Sequence, residues 1–213
     1  MKISNVTIED FVNYKKPSMF IGMGTCTWKC CKESNIPITV CQNHELINNT
    51  KDVNVTSIIE SYKNNSITEA LVIGGLEPFD TFSDLLTLVD SFRQSCSDDI
   101  VIYTGYYPYE IPNYLTYLCE YENIIIKFGR FIPNNDPHRD DVLGVNLISD
   151  NQYAVKLNTD VKDIIKAMEE NNGYCPCMIK QTEDTLCCCK AFRNKKSGTC
   201  HCCLLYTSPS PRD

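Results

Sequence analysis

Cysteine placement constrains this 213-residue chain more than any other feature, because twelve of its fourteen cysteines fall in two dense groups. Four lie within residues 24–43, GTCTWKCCKESNIPITVCQN, directly after the apolar run Met19-Phe20-Ile21-Gly22. Thiolates on a glycine-bearing loop at the mouth of a strand are a usual way to hold an iron–sulfur cluster or zinc. Farther on, Cys175/Cys177, Cys187/Cys189 and Cys200/Cys202 form three Cys-x-Cys pairs, with Cys188 inside the second. In a secreted chain such a count would suggest disulfides. The N-terminal MKISNVTIEDF has no apolar signal core, so a cytoplasmic setting is expected, where thiols bind metal or do redox work.

The length suits one large domain, or one medium and one small. No apolar run approaches the roughly 20 residues of a membrane span. A net charge of −7 without a basic block argues against a nucleic-acid partner. Cys96 and Cys119 stand alone in apparent helices and read as buried or idle thiols.

Along the chain, residues 1–16 read as a polar N-terminal arm. Apolar runs at 18–23, 69–73, 99–103 and 123–128 read as strands, the second and third closed by Gly74-Gly75 and Thr104-Gly105. Helices are expected at 55–63 and 82–95, and at 109–121, there weakened by Pro112. The alternation indicates an α/β fold with a parallel sheet buried on both faces. Ligands gather at the C-terminal ends of such strands, where the cysteine loop and both glycine turns fall. Short strands near 143–147 and 152–157 come next, then a helix that Asp160 can cap and Gly173 can stop. The pattern changes near residue 158, giving expected domains at 1–157 and 158–202.

Cys26 and Cys30 are separated by three residues, and Cys41 comes after ten more. Three cysteines on one loop leave an iron or zinc with an open position; a structural zinc on Cys26, Cys30, Cys31 and Cys41 is the bland alternative. Four segments in order, Cys41-Gln42-Asn43, LVIGGLEPFD (71–80), VIYTGY (101–106) and FGRFI (128–132) with Asn151-Gln152, resemble the radical S-adenosylmethionine activating proteins of anaerobic ribonucleotide reductase. The resemblance covers about residues 18–157 and implies a partial (β/α) barrel of radical SAM type. It implies that Cys26, Cys30 and Cys41 bind three irons of a 4Fe–4S cluster, and that S-adenosylmethionine chelates the fourth. Gly74, Gly75 and Glu77 would cradle its methionine end, with Tyr103 and Gly105 beside it. Two departures stand out. The last two ligands of that family are separated by two residues, so Cys31 could replace one of the three, and Leu76 is inserted in the Gly-Gly-Glu-Pro motif. Tyr103, Tyr106 and Arg130 are as consistent with sheet packing or a surface ion pair as with a cofactor role.

The second group has more thiols than one cluster needs, which suggests a cluster beside a redox-active pair. Its Cys-Pro-Cys, Cys-x-Cys and Cys-His-Cys order resembles the catalytic chain of ferredoxin:thioredoxin reductase over about residues 158–202. That resemblance implies a small, mainly α-helical domain. Cys175, Cys187, Cys189 and Cys200 would ligate a second 4Fe–4S cluster, Cys177 and Cys202 would form the disulfide, and His201 would handle protons. The same resemblance implies a ferredoxin or flavodoxin donor and a thioredoxin-like partner. A plain four-cysteine zinc knuckle is the alternative. Residues 203–213, CLLYTSPSPRD, resemble a translated sequencing adapter, which would make this terminal segment, Cys203 included, foreign to the protein.

Together these readings predict an enzyme that generates a glycyl radical on an anaerobic ribonucleotide reductase and carries its own disulfide reductase module. Radical chemistry on a small molecule or peptide, and a non-catalytic iron–sulfur or zinc protein, are the other two expectations.

Overall fold

A computed structural model of the chain describes residues 1–157, 162–175, 178, 180–187, 189, 198–199 and 205–207. The expected N-terminal arm is instead a strand, β1 (Lys2–Asp10), which pairs antiparallel with β2 (Ser18–Met23). Its residues are polar because only part of one face is covered: Ile3 is fully buried, whereas Ile8 is exposed. Helix α1 (Lys29–Glu33) and the short β3 (Lys51–Asp52), paired with β1, come next. Then come α2 (Val55–Lys63), β4 (Ala70–Gly75), α3 (Phe82–Arg93), β5 (Asp99–Tyr103), α4 (Pro112–Leu118) and β6 (Ile124–Phe128). Pro112 opens α4 rather than weakening its middle: proline lacks only an N–H that the first turn leaves unused, and its φ is already helical. The chain continues through β7 (His138–Asp140), β8 (Val145–Leu147), β9 (Tyr153–Leu157), α5 (Lys162–Glu170), β10 (Gly198–Thr199) and β11 (Leu205–Thr207).

The main sheet runs in the order β10-β11-β9-β6-β5-β4-β2-β1-β3, and β7 pairs with β8 in a separate hairpin. Strands β2, β4, β5 and β6 are mutually parallel, so their C-terminal ends share one edge. Antiparallel β1 and β9 flank them. The class is α/β, and the sheet is open, with β10 and β3 at its edges.

Period-two alternation gives each parallel strand two apolar faces. On one, Ile21, Ile73, Ile102 and Ile126 pack with Ile58 of α2, Leu88 and Phe92 of α3, Leu115 of α4 and Met168 of α5. On the other, Val72, Val101, Ile125 and Ala154 are covered by Tyr14 and by Val142, Leu143 and Leu147. The helices therefore line one face, and loops with the β7–β8 hairpin cover the second. Asp140 ties that covering loop down by accepting from the backbone N–H groups of Leu143 (2.8 Å) and Ala154 (2.8 Å).

Candidate metal centre

A cleft of about 360 Å³ opens at the C-terminal edge of the parallel strands and runs onto the loop-covered face. Cys26, Cys30 and Cys41 all line it, together with Gly75, Glu77, Tyr103, Gly105 and Lys127. The loop between β2 and α1 is held in place by backbone and carboxylate ties. Gly24 N–H donates to the Lys2 carbonyl (3.1 Å), Glu77 N–H to the Thr25 carbonyl (3.0 Å), and Thr27 N–H to Asp80 Oδ2 (2.5 Å). Trp28 turns the chain in the left-handed region (φ 60°) and aims its N–H at Cys26 Sγ (3.3 Å). Asn43, two residues after Cys41, donates to the Gly75 carbonyl (2.7 Å) and joins the far end of the loop to β4.

Cys31 is buried and does not line the cleft. Its side chain hydrogen-bonds with both Cys30 and Cys41, so these thiols meet while Cys26, Cys30 and Cys41 face the opening. Burial pushes the Cys26 and Cys30 thiols up to about 12 and raises Cys41 as well. Thiolates there need a cation to form, which a bound metal supplies. Among the described residues no three His, Cys, Asp or Glu side chains close around a single ion position.

Glu77 is half-buried in the cleft lining, and its carboxylate straps two strand ends together. Oε1 accepts from Thr104 Oγ1 (2.7 Å) and Phe79 N–H (3.2 Å), and Oε2 accepts from Gly105 N–H (2.9 Å). Burial outweighs these bonds and raises it to about 7. Gly75 sits at φ 79° with Gly22 beneath it, where an added Cβ would meet Gly22 Cα at 2.9 Å. Gly74 packs below the cleft lining, against Tyr103 and Phe20. Tyr103 reaches across the cleft to donate to the Asn13 carbonyl (2.5 Å). Tyr106 donates to Asp80 Oδ1 (2.6 Å), and Arg130 lies away from the cleft lining in an ion-pair network.

One cleft residue belongs to none of the sequence motifs. Lys127 is buried at the end of β6, donates to the Gly129 carbonyl (2.9 Å), and is pushed down to about 7 by burial. A single lysine inside the run Ile124-Ile-Ile-Lys-Phe128 is the signal that could have found it.

In the second group, Cys175, Cys187 and Cys189 are buried within the helix-side core. Tyr174 and Leu186 form an antiparallel bridge. Beside it, Cys175 N–H donates to the Thr185 carbonyl (2.8 Å) and Cys187 N–H to the Gly173 carbonyl (3.0 Å), so two of the expected ligands sit on facing segments. Cys177, Cys200, His201 and Cys202 lie outside the described residues, as does Asp160. No helix among the described residues is long and apolar enough to cross a membrane.

A family model described as a 4Fe-4S single cluster domain matches residues 18–152, which span the first cysteine loop and every parallel strand. No curated protein and no solved structure matches the chain.

Proposed function

Because this chain belongs to the 4Fe-4S single cluster domain family, we propose that Cys26, Cys30 and Cys41 hold a 4Fe–4S cluster with one iron left for S-adenosylmethionine. The observation that carries this reading is the exposure of three thiols to one cleft while Cys31 is turned into the protein. When bound, such a cluster supplies one electron at low potential, which breaks a carbon–sulfur bond of the sulfonium and yields methionine and a 5′-deoxyadenosyl radical.

This chain's own residues do the rest. Gly75 and Gly105 let backbone approach the ligand, with Gly74 packed behind, and Glu77 holds the two strand ends at a fixed spacing. The Lys127 ammonium offers the ligand carboxylate a buried cation, and Glu77 offers the ligand ammonium a carboxylate lone pair. Tyr103 fixes the cleft wall through Asn13. The radical would abstract hydrogen from a glycine of an anaerobic ribonucleotide reductase. In the second region, Cys175, Cys187, Cys189 and Cys200 would hold another cluster beside a Cys177–Cys202 disulfide, with His201 moving protons. Electrons from a ferredoxin or flavodoxin would then reach a thiol of the reductase or of a thioredoxin-like carrier.

Anaerobic reconstitution tests this. About eight irons per chain are expected if both clusters form. Dithionite should then release 5′-deoxyadenosine, and a reductase partner should acquire a glycyl radical signal. 5′-Deoxyadenosine without a glycyl radical would move the reading to a small-molecule or peptide substrate. Iron without cleavage would leave a cluster-binding protein.

A further inference from the structure

Helix α1 carries Cys30 and Cys31 yet has only five residues, and its Trp28 cap makes no side-chain bond. A helix that short does not hold itself in water. Its two terminal residues are gripped from outside by one buried ion pair. Arg130 binds Glu110 bidentately, Nη1 to Oε2 at 3.0 Å and Nη2 to Oε1 at 2.7 Å, with both side chains about 5–6% exposed. Lys29, the first residue of α1, donates to Glu110 Oε1 (2.8 Å), and Glu33, the last, pairs with Arg130 Nη2. Lys29 and Glu33 also face each other at 3.6 Å.

The pair is itself fixed. Tyr107 N–H donates to Glu110 Oε2 (2.8 Å), the Arg130 guanidinium lies 4.9 Å from the Tyr107 ring centre, and Asn151 bridges the Arg130 carbonyl (2.9 Å) and Tyr107 Oη (3.0 Å). Two cations and two carboxylates balance, so removing one leaves a buried charge uncompensated. Neither Arg130 nor Glu110 lines the cleft.

We propose that Arg130 and Glu110 are positioning residues that clamp α1 by both ends and thereby aim the Cys30 thiol into the cleft. The consequence for iron rests on the reading of Cys30 as a ligand; the clamp itself does not. Arg keeps its role here by its planar fork, so Arg130→Lys preserves charge and loses the bidentate grip.

The test compares wild type with Arg130→Lys, Glu110→Gln and the more exposed Lys29→Met, which removes one grip with little risk to folding. In metal-free, reduced protein, alkylation by iodoacetamide is measured cysteine by cysteine. The clamp predicts selective acceleration at Cys30 and Cys31, with Cys26 and Cys41 unchanged. Equal acceleration at all four, or none, overturns it. In reconstituted protein, loss of iron to a chelator should speed about tenfold, the scale of an outer-shell partner, and the reduced cluster's EPR signal should shift. Selective alkylation with unchanged iron release and an unchanged signal in all three variants would uphold the clamp and overturn Cys30 as an iron ligand. If wild type takes up no cluster, the proposed ligation by Cys26, Cys30 and Cys41 fails while the alkylation pattern still decides the clamp.

Discussion

The two cysteine-rich regions use the same side chain in opposite settings. Cys26, Cys30 and Cys41 line an open cleft at the edge of a parallel sheet, held by backbone ties and carboxylates from neighbouring strand ends. Cys175, Cys187 and Cys189 are packed into the apolar core against the helices. An open site leaves room for an exchangeable ligand at the metal, whereas a closed one favours electron storage and protects what it binds. On the proposed function, the first region would do the substrate chemistry and the second would supply electrons.

The largest expected effect separates the regions by metal. Cys26→Ser, Cys30→Ser or Cys41→Ser should each abolish the first region's iron, about half the total, while Cys31→Ser keeps it. Cys175→Ser should remove only the other half. Iron and sulfide counting on reconstituted protein checks this, and loss of all iron from every variant would erase the distinction.

Backbone conformation provides the next test, since each region holds a left-handed glycine with no room for a Cβ. An added Cβ at Gly75 (φ 79°) would meet Gly22 Cα at 2.9 Å, and at Gly173 (φ 84°) Tyr109 Cβ at 2.6 Å. Gly75→Ala and Gly173→Ala should each cost about 1–3 kcal/mol in urea unfolding. Gly75→Ala should also impair loading of the first region alone.

Buried charge gives a smaller contrast, on the cleft side only. Lys127 falls to about 7 in the folded protein, below its unfolded value of roughly 10.4. Between those values the unfolded chain binds the extra proton, so stability of metal-free protein should rise with pH from about 7 to about 10. Urea midpoints across that range should show the rise in wild type and lose it in Lys127→Met. A flat wild-type profile would mean that Lys127 stays charged. Smallest of all, Cys96→Ser should shift stability by less than about 0.5 kcal/mol and leave iron content alone, because this half-buried thiol belongs to neither region.

Most of the scaffold was readable from local pattern. Strand and helix periods located β4, β5, β6, α2 and α3, and glycines at strand ends marked the edge where the cleft opens. β1 escaped because its partners, not its composition, make it a strand: it pairs with the neighbouring β2 and, across distant sequence, with β3. Long-range electrostatics escaped for the same reason. Lys29, Glu110 and Arg130 come from three separate elements, and spacing says nothing of their meeting. Spacing alone also left Cys31 interchangeable with its neighbours; only its burial behind Cys30 and Cys41 sets it apart.

The central claim is an iron at the first region that S-adenosylmethionine can reach. EPR of the dithionite-reduced Cys175→Ser variant, recorded with and without S-adenosylmethionine, tests it most directly. The account predicts a 4Fe–4S signal that shifts on adding the ligand and vanishes when Cys30→Ser is combined with it. A signal indifferent to S-adenosylmethionine, or one that survives the loss of Cys30, would contradict it.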